Sequence, residues 1–484
     1  MQLPLVNESL LVSIRIPQAG LPANGNGSRR SWLKLAFGSG LTALLSGRLA
    51  ASNLQPNSES KIKSCIFVFY YGGPSHLDTY DLKPNATSTV RGEFNPISTT
   101  VPGIQICEHL PYMSQVMHHV ALVRSMHHTN RLHDSASTET FTGRQGPQGD
   151  REEFAAIPQF FPCHGGALSY VRREESLEVC HAVLPSLFHN VVDVPCQGGG
   201  FLGNAFDPLL IEGKPDTLEF RSPVLSQADD LPSVRIGRRR ELLSSIEQDL
   251  RGYSFPNSRQ LNDMYERAYE LLDSTTLRQA LDLSQETEAT RQRYGMAAAP
   301  ADAGDAASAL SPWRPIRGQN LLQARRLVEA GVPFVTVNDF RQQGQNWDSH
   351  ADNFNQNKKY LLPQADQSLS ALIEDLDQRG LLESTLVVAL GEFGRTPTIN
   401  GSAGRDHWPD CYTILLAGGG VRGGSVYGAS DDIGAYPAKD PATPADLAAT
   451  IYWRFGIDPR TEIHDQSGRP WRLSDGMTLA SLFS

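Results

Sequence analysis

Histidine and carboxylate side chains recur in five short motifs, and every motif adjoins an apolar segment of the chain. The motifs are GGPSHLDTYD (72–81), HHTNRLHDSA (127–136), NWDSHADNF (346–354), EFGRTP (392–397) and GRDHWP (404–409). Imidazole and carboxylate groups are the ligands that zinc, iron and manganese accept. Acidic side chains that lie close together repel one another unless a proton or a cation intervenes. If the five motifs meet in space, they predict a metal site or a polar catalytic site.

The segments beside these motifs are typical of buried strands, because they are short, apolar and bounded by glycines or turns. They are CIFVFYY (65–71), VALVRSM (120–126), PFVTVN (333–338), STLVVALG (384–391) and YTILLAG (412–418), and we expect all five to be parallel. Helices predicted at Leu110–His118, Gln319–Ala330 and Pro363–Arg379 lie between them. This alternation predicts an α/β fold with a mostly parallel sheet covered by helices on both faces. Ligands of such sheets collect beyond the carboxyl ends of the strands, where we expect the motifs.

The composition limits the possible classes of partner. The chain has 484 residues, a net charge of −10 and 40% hydrophobic residues, which is enough for a full core. An acidic chain without long Lys/Arg runs is a poor candidate for binding nucleic acid or an anionic membrane surface. The six cysteines include no CxxC pair, which argues against a thiolate zinc site. Cys65 is expected in the core, and no disulfide is assigned.

The N-terminal segment resembles a transport address. Residues 28–34 read SRRSWLK, with Arg29 and Arg30 adjacent as in the twin-arginine export motif and Trp32 where that motif usually has Phe. The following apolar segment, residues 35–46, is shorter than the about 20 residues that span a bilayer, so it suits a signal peptide. An ordinary amphipathic helix is the alternative, and three glycines disfavour it. We expect residues 1–52 to be an extension and twin-arginine signal.

Export by this route makes the twin-arginine translocase a partner and predicts a periplasmic or secreted protein without a membrane span in the mature chain. Residues 60–484 are expected to form the α/β domain. Within it, residues 238–296 are charged and helix-favouring without strand signals, which predicts a helical insertion. Residues 297–311 are rich in Ala, Asp and Pro and predict a flexible connector.

Several segments together resemble a family of largely exported proteins, the domain-of-unknown-function family 1501 (DUF1501), within the alkaline-phosphatase/sulfatase-like superfamily. They are GGPSHLDTYD, GFLGNAFDPL (200–209), ALDLSQETEATRQRYG (280–295), LLQARRLVEAGVPFVTVN (321–338), WDSHADNF, GEFGRTP, GRDHWP and TIYWRFGIDP (450–459). The resemblance extends from Arg29 nearly to the C-terminus. It implies an alkaline-phosphatase-like core.

The superfamily comparison implies metal ligands residue by residue. Related phosphatases and sulfatases have a strand that ends in Asp-His-Gly, and the equivalent here begins with Glu392 but continues with Phe393, so the carboxylate is kept and the imidazole is not. His407, ahead of an apolar strand, resembles a downstream metal-binding histidine. Asp348 and His350 resemble the Asp/His pair that follows the middle strand.

The first strand of the relatives normally ends in a metal-binding Asp-Gly, which here reads Gly72-Gly73. His76 and Asp78 follow a few residues later and are candidates to compensate. Asp406 is a further candidate metal ligand, and its alternative role is to orient the neighbouring His407.

The nucleophile is open between two alternatives. In the relatives, a nucleophile stands ten residues before the glycine of a Thr-Gly pair, and counting back from Thr142-Gly143 reaches His133. Asp134-Ser135-Ala136 resembles the phosphatase nucleophile triplet but is displaced by two residues. Either Ser135 is the nucleophile, activated by a helix N-terminus and a metal, or His133 is a metal ligand and there is no nucleophile of the usual kind. The count favours the second alternative.

Two arginines are candidates for binding an anionic substrate, because a guanidinium group matches the geometry of phosphate and sulfate. They are Arg395 and Arg405, and the alternative for both is a salt bridge to Glu392 or Asp406.

The leading hypothesis is an exported metal-dependent hydrolase of phosphate or sulfate esters that acts on a small-molecule or polysaccharide ester. Divalent metal ions of the Zn, Mn, Ca or Mg group would be its cofactors. The second hypothesis is a non-catalytic secreted metal-binding or surface-assembly protein that keeps the hydrolase fold, and Phe393 and His133 favour it. A mutase or transferase on phosphorylated sugars is a third hypothesis, disfavoured because such substrates are scarce outside the cytoplasm.

Overall fold

A computed structural model describes residues 62–153, 157, 159–190, 194–213, 218–223, 238, 241–242, 245, 274–296, 314–339 and 347–484. The main element of these segments is an eight-stranded sheet. Its strands are β1 (Ser64–Phe69), β2 (Val120–Met126), β3 (His181–Leu184), β4 (Leu209–Leu210), β5 (Phe334–Asn338), β6 (Thr385–Leu390), β7 (Tyr412–Ala417) and β8 (Val426–Tyr427). Their order across the sheet is β8-β2-β7-β6-β1-β5-β3-β4.

The sheet is parallel except at one strand. β1 pairs in parallel with β6 and β5, in the register Phe67 with Val388 and Thr336. β7 runs antiparallel to both of its neighbours, β6 and β2. The prediction of a mostly parallel sheet is therefore confirmed, but the prediction that residues 412–418 form a parallel strand is wrong. The reversal has a consequence for the site, since the residues that precede β7 lie at the edge where the parallel strands end.

Side chains alternate between the two faces of the sheet, and each face carries its own hydrophobic cluster. In β1, Ile66 and Val68 face one cluster, whereas Phe67 and Phe69 face the other. All six residues of this strand are buried, as expected for a strand covered on both sides.

Helices cover both faces. Leu369, Leu372 and Leu376 of one long helix pack with the first cluster, and Leu447 and Ile451 of another pack with the second. The helices are α1 (Ser88–Arg91), α2 (Pro111–Val116), α3 (His133–Thr142), α4 (His164–Val171), α5 (Thr275–Ala280), α6 (Glu288–Arg293), α7 (Arg314–Glu329), α8 (Asn353–Gln356), α9 (Leu362–Gln378) and α10 (Pro444–Arg454). A π-helical turn, Asn357–Leu361, joins α8 to α9.

Local sequence explains the ends of these helices. Pro363 stands in the first turn of α9, and Gly380, at φ +68°, lies just beyond its end. Thr443 and Asp446 form a reciprocal capping box at the start of α10. Gly143, at φ +70°, ends α3 in the left-handed conformation that glycine adopts without strain. The three predicted helices are thus confirmed as α2, α7 and α9, with shifts of a few residues.

Shorter elements complete the described chain. Two-stranded antiparallel ladders pair Pro96–Ser98 with Gln105–Cys107, Glu212–Gly213 with Phe220–Arg221, Gly394–Arg395 with His407–Trp408, Ala429–Ser430 with Pro437–Lys439, and Glu462–His464 with Pro470–Arg472. Short 3₁₀ helices lie at His76–Asp78, Met117–His119, Pro195–Gln197, Gly200–Leu202, Asn204–Phe206, Leu283–Gln285, Leu382–Ser384 and Ala480–Leu482.

Three predicted regions fall wholly or partly outside the described residues. The N-terminal extension and signal, residues 1–52, and the connector, residues 297–311, lie outside them entirely. Of the predicted helical insertion, α5 and α6 are described, and Leu277 and Tyr294 pack into the same cluster as α7 and α9.

Two further expectations concern the cysteines and the membrane. Cys65 lies in the core as predicted, and all six cysteines are free. Among the helices that the structure describes, none has the length and apolar character that crossing a bilayer requires.

Candidate metal centre

Side chains from four of the five motifs meet beyond the carboxyl edge of the sheet. His133 opens α3, a few residues after β2 ends. Glu392 follows β6 directly, and Asp348 lies in the chain that returns after β5. His407 precedes β7 and reaches the same edge because that strand is antiparallel. His350 completes the group at its surface.

Three histidine rings direct their Nε2 atoms at one carboxylate, that of Asp348. The Nε2 atom of His133 lies 3.3 Å from Oδ2. The Nε2 atoms of His350 and His407 lie 3.0 and 3.2 Å from Oδ1, and 3.0 Å from each other. One ligand atom each of His133, Asp348 and His407 lies within 4.8 Å of the others. Three side chains therefore present ligand atoms to one common point, and His350 adjoins them through Asp348 and His407.

The second ring nitrogen, Nδ1, of each histidine is held by an acceptor. Because carboxylate and carbonyl oxygens only accept, each Nδ1 carries a proton, and the neutral ring presents a lone pair at Nε2. Metal-binding histidines are commonly oriented in this way. The pairs are His133 with Glu392 Oε1 at 2.6 Å, His350 with Asp406 Oδ1 at 2.7 Å, and His407 with the backbone oxygen of Arg131 at 2.7 Å.

The protonation of the three rings differs. Burial lowers the pKa of His133, but the carboxylates of Asp348 and Glu392 outweigh this effect and raise it to about 9. The hydrogen bond with Asp348 raises the pKa of His350. Burial lowers the pKa of His407, so this ring is neutral at pH 7. Burial alone would raise the pKa of Asp348, but the three histidines hold it far below its usual range.

These contacts test whether the residues fit a metal ion. The Nε2 lone pair of neutral His407 faces a carboxylate oxygen of Asp348, and two lone pairs repel each other. The Nε2 atom of His133 lies 3.3 Å from the other oxygen of this carboxylate, and the raised pKa of His133 means that the ring is protonated there. A cation between these atoms would make the contact of His407 attractive and would replace the protons of His133 and His350. The residues therefore fit a divalent cation of the zinc or manganese kind.

The inner wall of the cluster is closed by Arg395 and Phe393. The guanidinium group of Arg395 is fully buried and donates to Asp348 Oδ1 at 2.6 Å and to the backbone oxygen of Gly73 at 3.1 Å. Arg395 thus forms a salt bridge, with Asp348 rather than Glu392 as its partner, and is not placed to meet a substrate from solvent. The Phe393 ring lies 4.5 Å from the His407 ring, between centroids.

The cluster reaches the surface through its outer members. The side chain of His350 is 45% exposed and that of Asp406 is 53% exposed, whereas that of His133 is 3% exposed. Asp406 orients a histidine, as one alternative proposed, but the ring is that of His350 rather than His407. Among the described residues of the cluster, His350 therefore offers an ion or an ester a side open to solvent.

Asp78 forms an ion pair with Arg405 and does not contact the histidine cluster. Its carboxylate accepts from Arg405 Nε at 2.8 Å and Nη2 at 3.0 Å, and from Asn353 Nδ2 at 2.9 Å. Both charged side chains are fully buried. The structure therefore brings Asp78 into an ion pair rather than the histidine cluster, and Arg405 is not placed to bind a substrate.

His76 is also directed elsewhere. Its Nε2 atom lies 2.8 Å from the backbone oxygen of Gly434, and burial lowers the pKa of its ring. Its Nδ1 atom is buried beside Gly394. The proposal that His76 and Asp78 compensate for the missing Asp-Gly pair gains no support from these positions.

Ser135 lies in the first turn of α3 and is fully buried. Its hydroxyl group donates to Asp150 Oδ1 at 2.5 Å and to the backbone oxygen of Leu132 at 3.1 Å. The neighbouring His133, by contrast, places its ring in the cluster. Of the two side chains in this turn, that of His133 contacts Asp348, whereas the hydroxyl group of Ser135 is held by Asp150.

A residue that sequence reasoning left unused is Gly72. Its φ angle is +103°, and a Cβ atom there would lie 2.5 Å from the backbone nitrogen of Asp348. Its own N–H donates to Glu392 Oε1 at 2.8 Å. Only glycine allows this close approach of the two segments. The sequence contains a signal for this contact, namely the pair Gly72-Gly73 after an apolar strand, since glycines at such positions often mark a close approach of two backbone segments.

The fold and the cluster define an α/β protein with a candidate metal centre beyond the carboxyl edge of its sheet. The family model described as "Protein of unknown function (DUF1501)" matches residues 62–483, and the chain belongs to that family. The resemblance drawn from the motifs is confirmed. No curated protein matches the chain.

Solved structures similar to the chain include sulfatases and an alkaline phosphatase. Ps i-CgsB in complex with k-i-k-neocarrahexaose is 11% identical, with a TM-score of 0.40, over 87% of this chain and 75% of that one. The PsFucS1 sulfatase from Pseudoalteromonas sp. is 12% identical, with a TM-score of 0.36, over 84% and 70%. Alkaline phosphatase from the Antarctic bacterium TAB5 is 10% identical, with a TM-score of 0.32, over 82% and 99%. These values are too low to transfer an activity.

Proposed function

We propose that the protein is an exported, metal-dependent hydrolase of phosphate or sulfate esters. The observation that carries the proposal is the convergence of three Nε2 atoms on Asp348, each ring being held at Nδ1 by its own acceptor. The Nε2 lone pair of neutral His407, which faces a carboxylate oxygen at a partly open site, favours a bound cation over a closed polar network. When bound, a divalent cation would supply Lewis-acid polarisation of the ester.

The residues of the chain have distinct tasks in this proposal. Asp348, His407 and His133 hold the cation, and His350 completes the ligand set at the surface. Glu392 and Asp406 orient two of the rings through Nδ1. Phe393 excludes water from the inner side, which strengthens the electrostatic interactions there.

The proposed mechanism does not depend on Ser135. Its hydroxyl group is held by Asp150 and Leu132, so an attack by this oxygen would require both contacts to break. We therefore favour water as the attacking group. Ser135→Ala should leave turnover within about twofold of the wild type. A loss of several hundredfold, with metal content unchanged, would identify Ser135 as the nucleophile instead.

The deciding experiment combines elemental analysis with turnover. The purified protein should hold one or two transition-metal ions per chain and should hydrolyse p-nitrophenyl phosphate or p-nitrophenyl sulfate. His350→Ala should lose both the metal and the turnover while the metal-free protein stays folded by circular dichroism. Stoichiometric metal in that variant would contradict the ligand assignment. Trp453→Phe, in α10 and outside the histidine cluster, is a matched control for metal that is lost during purification.

A non-catalytic metal-binding protein is the second candidate. Two observations favour it, namely the buried hydroxyl group of Ser135 and Phe393 in place of a further imidazole. Both candidates require a bound metal, so they differ only in turnover. Full metal occupancy together with no hydrolysis of any phosphate or sulfate ester would select the second candidate.

Export by the twin-arginine route is part of the proposal and rests on Arg29 and Arg30, which lie outside the described residues. Replacing both with lysine should retain the protein in the cytoplasm, as measured by fractionation. Unchanged export of that variant would remove this part of the proposal and leave the site unaffected.

A further inference from the structure

An aromatic group lies at the surface next to the histidine cluster. Trp408 follows His407 directly, and the centroid of its ring lies 5.8 Å from that of Tyr436. The guanidinium carbon of Arg131 lies 5.6 Å from the centre of the Trp408 ring. We call the side chains of Trp408, Tyr436 and Arg131 the aromatic platform. Tyr436 is 54% exposed and the side chain of Arg131 is 50% exposed, so the platform is open to solvent.

The platform is continuous with the histidine cluster. The backbone oxygen of Arg131 accepts from His407 Nδ1 at 2.7 Å, so one residue orients a ring of the cluster and also places its side chain over Trp408. His407 and Trp408 are consecutive, and the Cα atoms of consecutive residues are about 3.8 Å apart. A molecule whose ester group reaches the cluster would therefore have its remaining part within reach of the platform.

The loop that carries Tyr436 is held by hydrogen bonds on two sides. The Nε1 atom of Trp408 donates to the backbone oxygen of Ala435 at 2.6 Å. The buried imidazole of His76 lies with Nε2 2.8 Å from the backbone oxygen of Gly434, and it donates there because a carbonyl only accepts. A surface that is held in this way loses little conformational entropy when a ligand binds. His76, which lies outside the histidine cluster, thus supports the platform.

Exposed hydrophobic side chains concentrate in the segments that form the platform. Eight large hydrophobic side chains are exposed among the described residues, and three of them are Leu132, Ile433 and Tyr436. Leu132 follows Arg131 in the sequence, and Ile433 lies in the same loop as Tyr436. Clustered exposed apolar side chains with polar neighbours mark binding surfaces, whereas single ones are ordinary.

The polar groups of the platform indicate which ligand it fits. The Nη2 atom of Arg131 lies 2.6 Å from Asp410 Oδ2, and both side chains are in part exposed. An apolar partner would bury this ion pair without replacing its contacts with water, which is costly. A sugar ring avoids this cost, because its hydroxyl groups can both donate and accept. Its C–H groups, which carry a slight positive charge, pack on the negative face of an aromatic ring.

We propose that the platform binds a sugar ring and that the substrate of the histidine cluster is an ester of a carbohydrate. The ring stacks on Trp408 and Tyr436, and Arg131 and Asp410 bind its hydroxyl groups. The inference rests on the proposed function and deepens it, because it names the alcohol part of the phosphate or sulfate ester.

Binding is measured by saturation-transfer NMR on the purified protein with methyl β-D-galactopyranoside and with methyl β-D-glucopyranoside. Neither sugar carries an ester, so the measurement does not depend on turnover. The wild type should transfer saturation to the ring C–H protons of at least one of them. Tyr436→Ala should weaken this binding by about tenfold, whereas Tyr436→Phe, which keeps the ring, should stay within about threefold.

Tyr112→Ala is the matched control. Tyr112 is 49% exposed on α2, outside the platform, and its ring lies 5.2 Å from the guanidinium carbon of Arg293. The control resembles Tyr436 in exposure, and its ring has an arginine neighbour as Trp408 does, so it should bind the sugar as the wild type does. Trp408→Phe provides a second variant within the platform if Tyr436→Ala fails to fold, and it should retain binding because a ring remains.

Turnover links the platform to the histidine cluster. The wild type should hydrolyse galactose 6-sulfate or galactose 6-phosphate, and the ester that is hydrolysed decides between sulfate and phosphate. Tyr436→Ala should raise KM for that ester by about tenfold with a much smaller change in kcat, because the platform contacts the substrate and the transition state alike. A fall in kcat with an unchanged KM would contradict a role in binding the sugar.

The remaining outcomes separate this inference from the proposed function. Absence of binding of both methyl glycosides, or equal binding in the wild type and Tyr436→Ala, would overturn the inference even if p-nitrophenyl esters are hydrolysed. Sugar binding that requires Tyr436, without hydrolysis of any ester, would support the platform and contradict the proposed function. Self-association that Tyr436→Ala abolishes, measured by sedimentation and found without sugar binding, would assign the platform to a second copy of the chain and overturn the inference.

Discussion

Two charged groups lie beyond the carboxyl edge of the same sheet, and they differ in how completely their charges are matched. In the Asp78–Arg405 pair, five N–H groups of the guanidinium find five acceptors, which are the two oxygens of Asp78 and the backbone oxygens of Val90, Thr396 and Pro397. Around Asp348, by contrast, three histidine Nε2 atoms compete for one carboxylate.

This difference in charge matching indicates which of the two groups, the Asp78–Arg405 pair or the histidine cluster, can bind a ligand. A bidentate, fully buried pair has no unmatched charge and no reason to exchange its partner. The histidine cluster keeps the Nε2 lone pair of His407 and a path to solvent, and a bound cation would replace the protons of His133 and His350. The Asp78–Arg405 pair should therefore govern stability, and the histidine cluster should govern metal binding. Each prediction below tests that division.

The largest expected effect is that of Asp78→Ala on stability. Removing the carboxylate leaves the guanidinium group of Arg405 buried and unpaired, so the free energy of unfolding should fall by about 3 to 5 kcal/mol. Denaturant titration measures this fall, and elemental analysis of the folded fraction should show unchanged metal content. Loss of metal without a loss of stability would break the division between the two groups.

Asp348→Asn should have the converse result. The substitution keeps the size of the side chain but removes the charge on which three rings converge. Metal affinity should therefore fall by at least about 100-fold, measured by competition with a chromophoric chelator. Asp352→Asn, a nearby exposed carboxylate, serves as the control and should bind metal normally. Wild-type affinity in Asp348→Asn would remove this residue from the ligand set.

Asp406→Asn should have a smaller effect, because Asp406 acts through His350. An asparagine can still accept from Nδ1 but cannot contribute a charge, so metal affinity should fall by roughly 10-fold. Competition titration measures this change as well. A fall as large as that of Asp348→Asn would indicate that Asp406 binds the metal directly.

The last expected effect is a pH dependence of the metal-free protein, which requires no loss of a ligand or of an ion pair. The pKa of His133 is raised from 6.5 to about 9, so its stabilising contribution is complete below pH 6.5 and is lost as the pH rises through 9. The free energy of unfolding in chelator should fall over this window by on the order of 3 kcal/mol. His133→Gln should show a flatter profile, and identical profiles would contradict the raised pKa.

Much of the fold could be predicted from the sequence, because strands and helices follow local patterns. The apolar run around Phe67 and the 3.6-residue spacing of Leu369, Leu372 and Leu376 identify β1 and α9 directly. The direction of β7 could not be predicted, since its residues read as a buried strand in either direction. Yet that direction determines whether His407 reaches the edge of the sheet where Glu392 lies.

The candidate site could likewise be predicted only in part from the sequence. Residue types and their places after strands were enough to select Asp348, His350, Glu392 and His407, and a count along the chain selected His133. The same reasoning selected Asp78, although nothing in its neighbourhood shows that its charge is already matched. Its partner, Arg405, lies 327 residues further along the chain.

The sequence by itself determined the elements, the family and the pool of possible ligands, because these depend on local spacing and on motifs. Only the tertiary structure decided which carboxylates stay free to bind a cation. A carboxylate is a ligand or half of an ion pair according to the charge that lies within a few ångströms of it. Here that charge comes from segments hundreds of residues away, which the packing of the sheet brings to one edge.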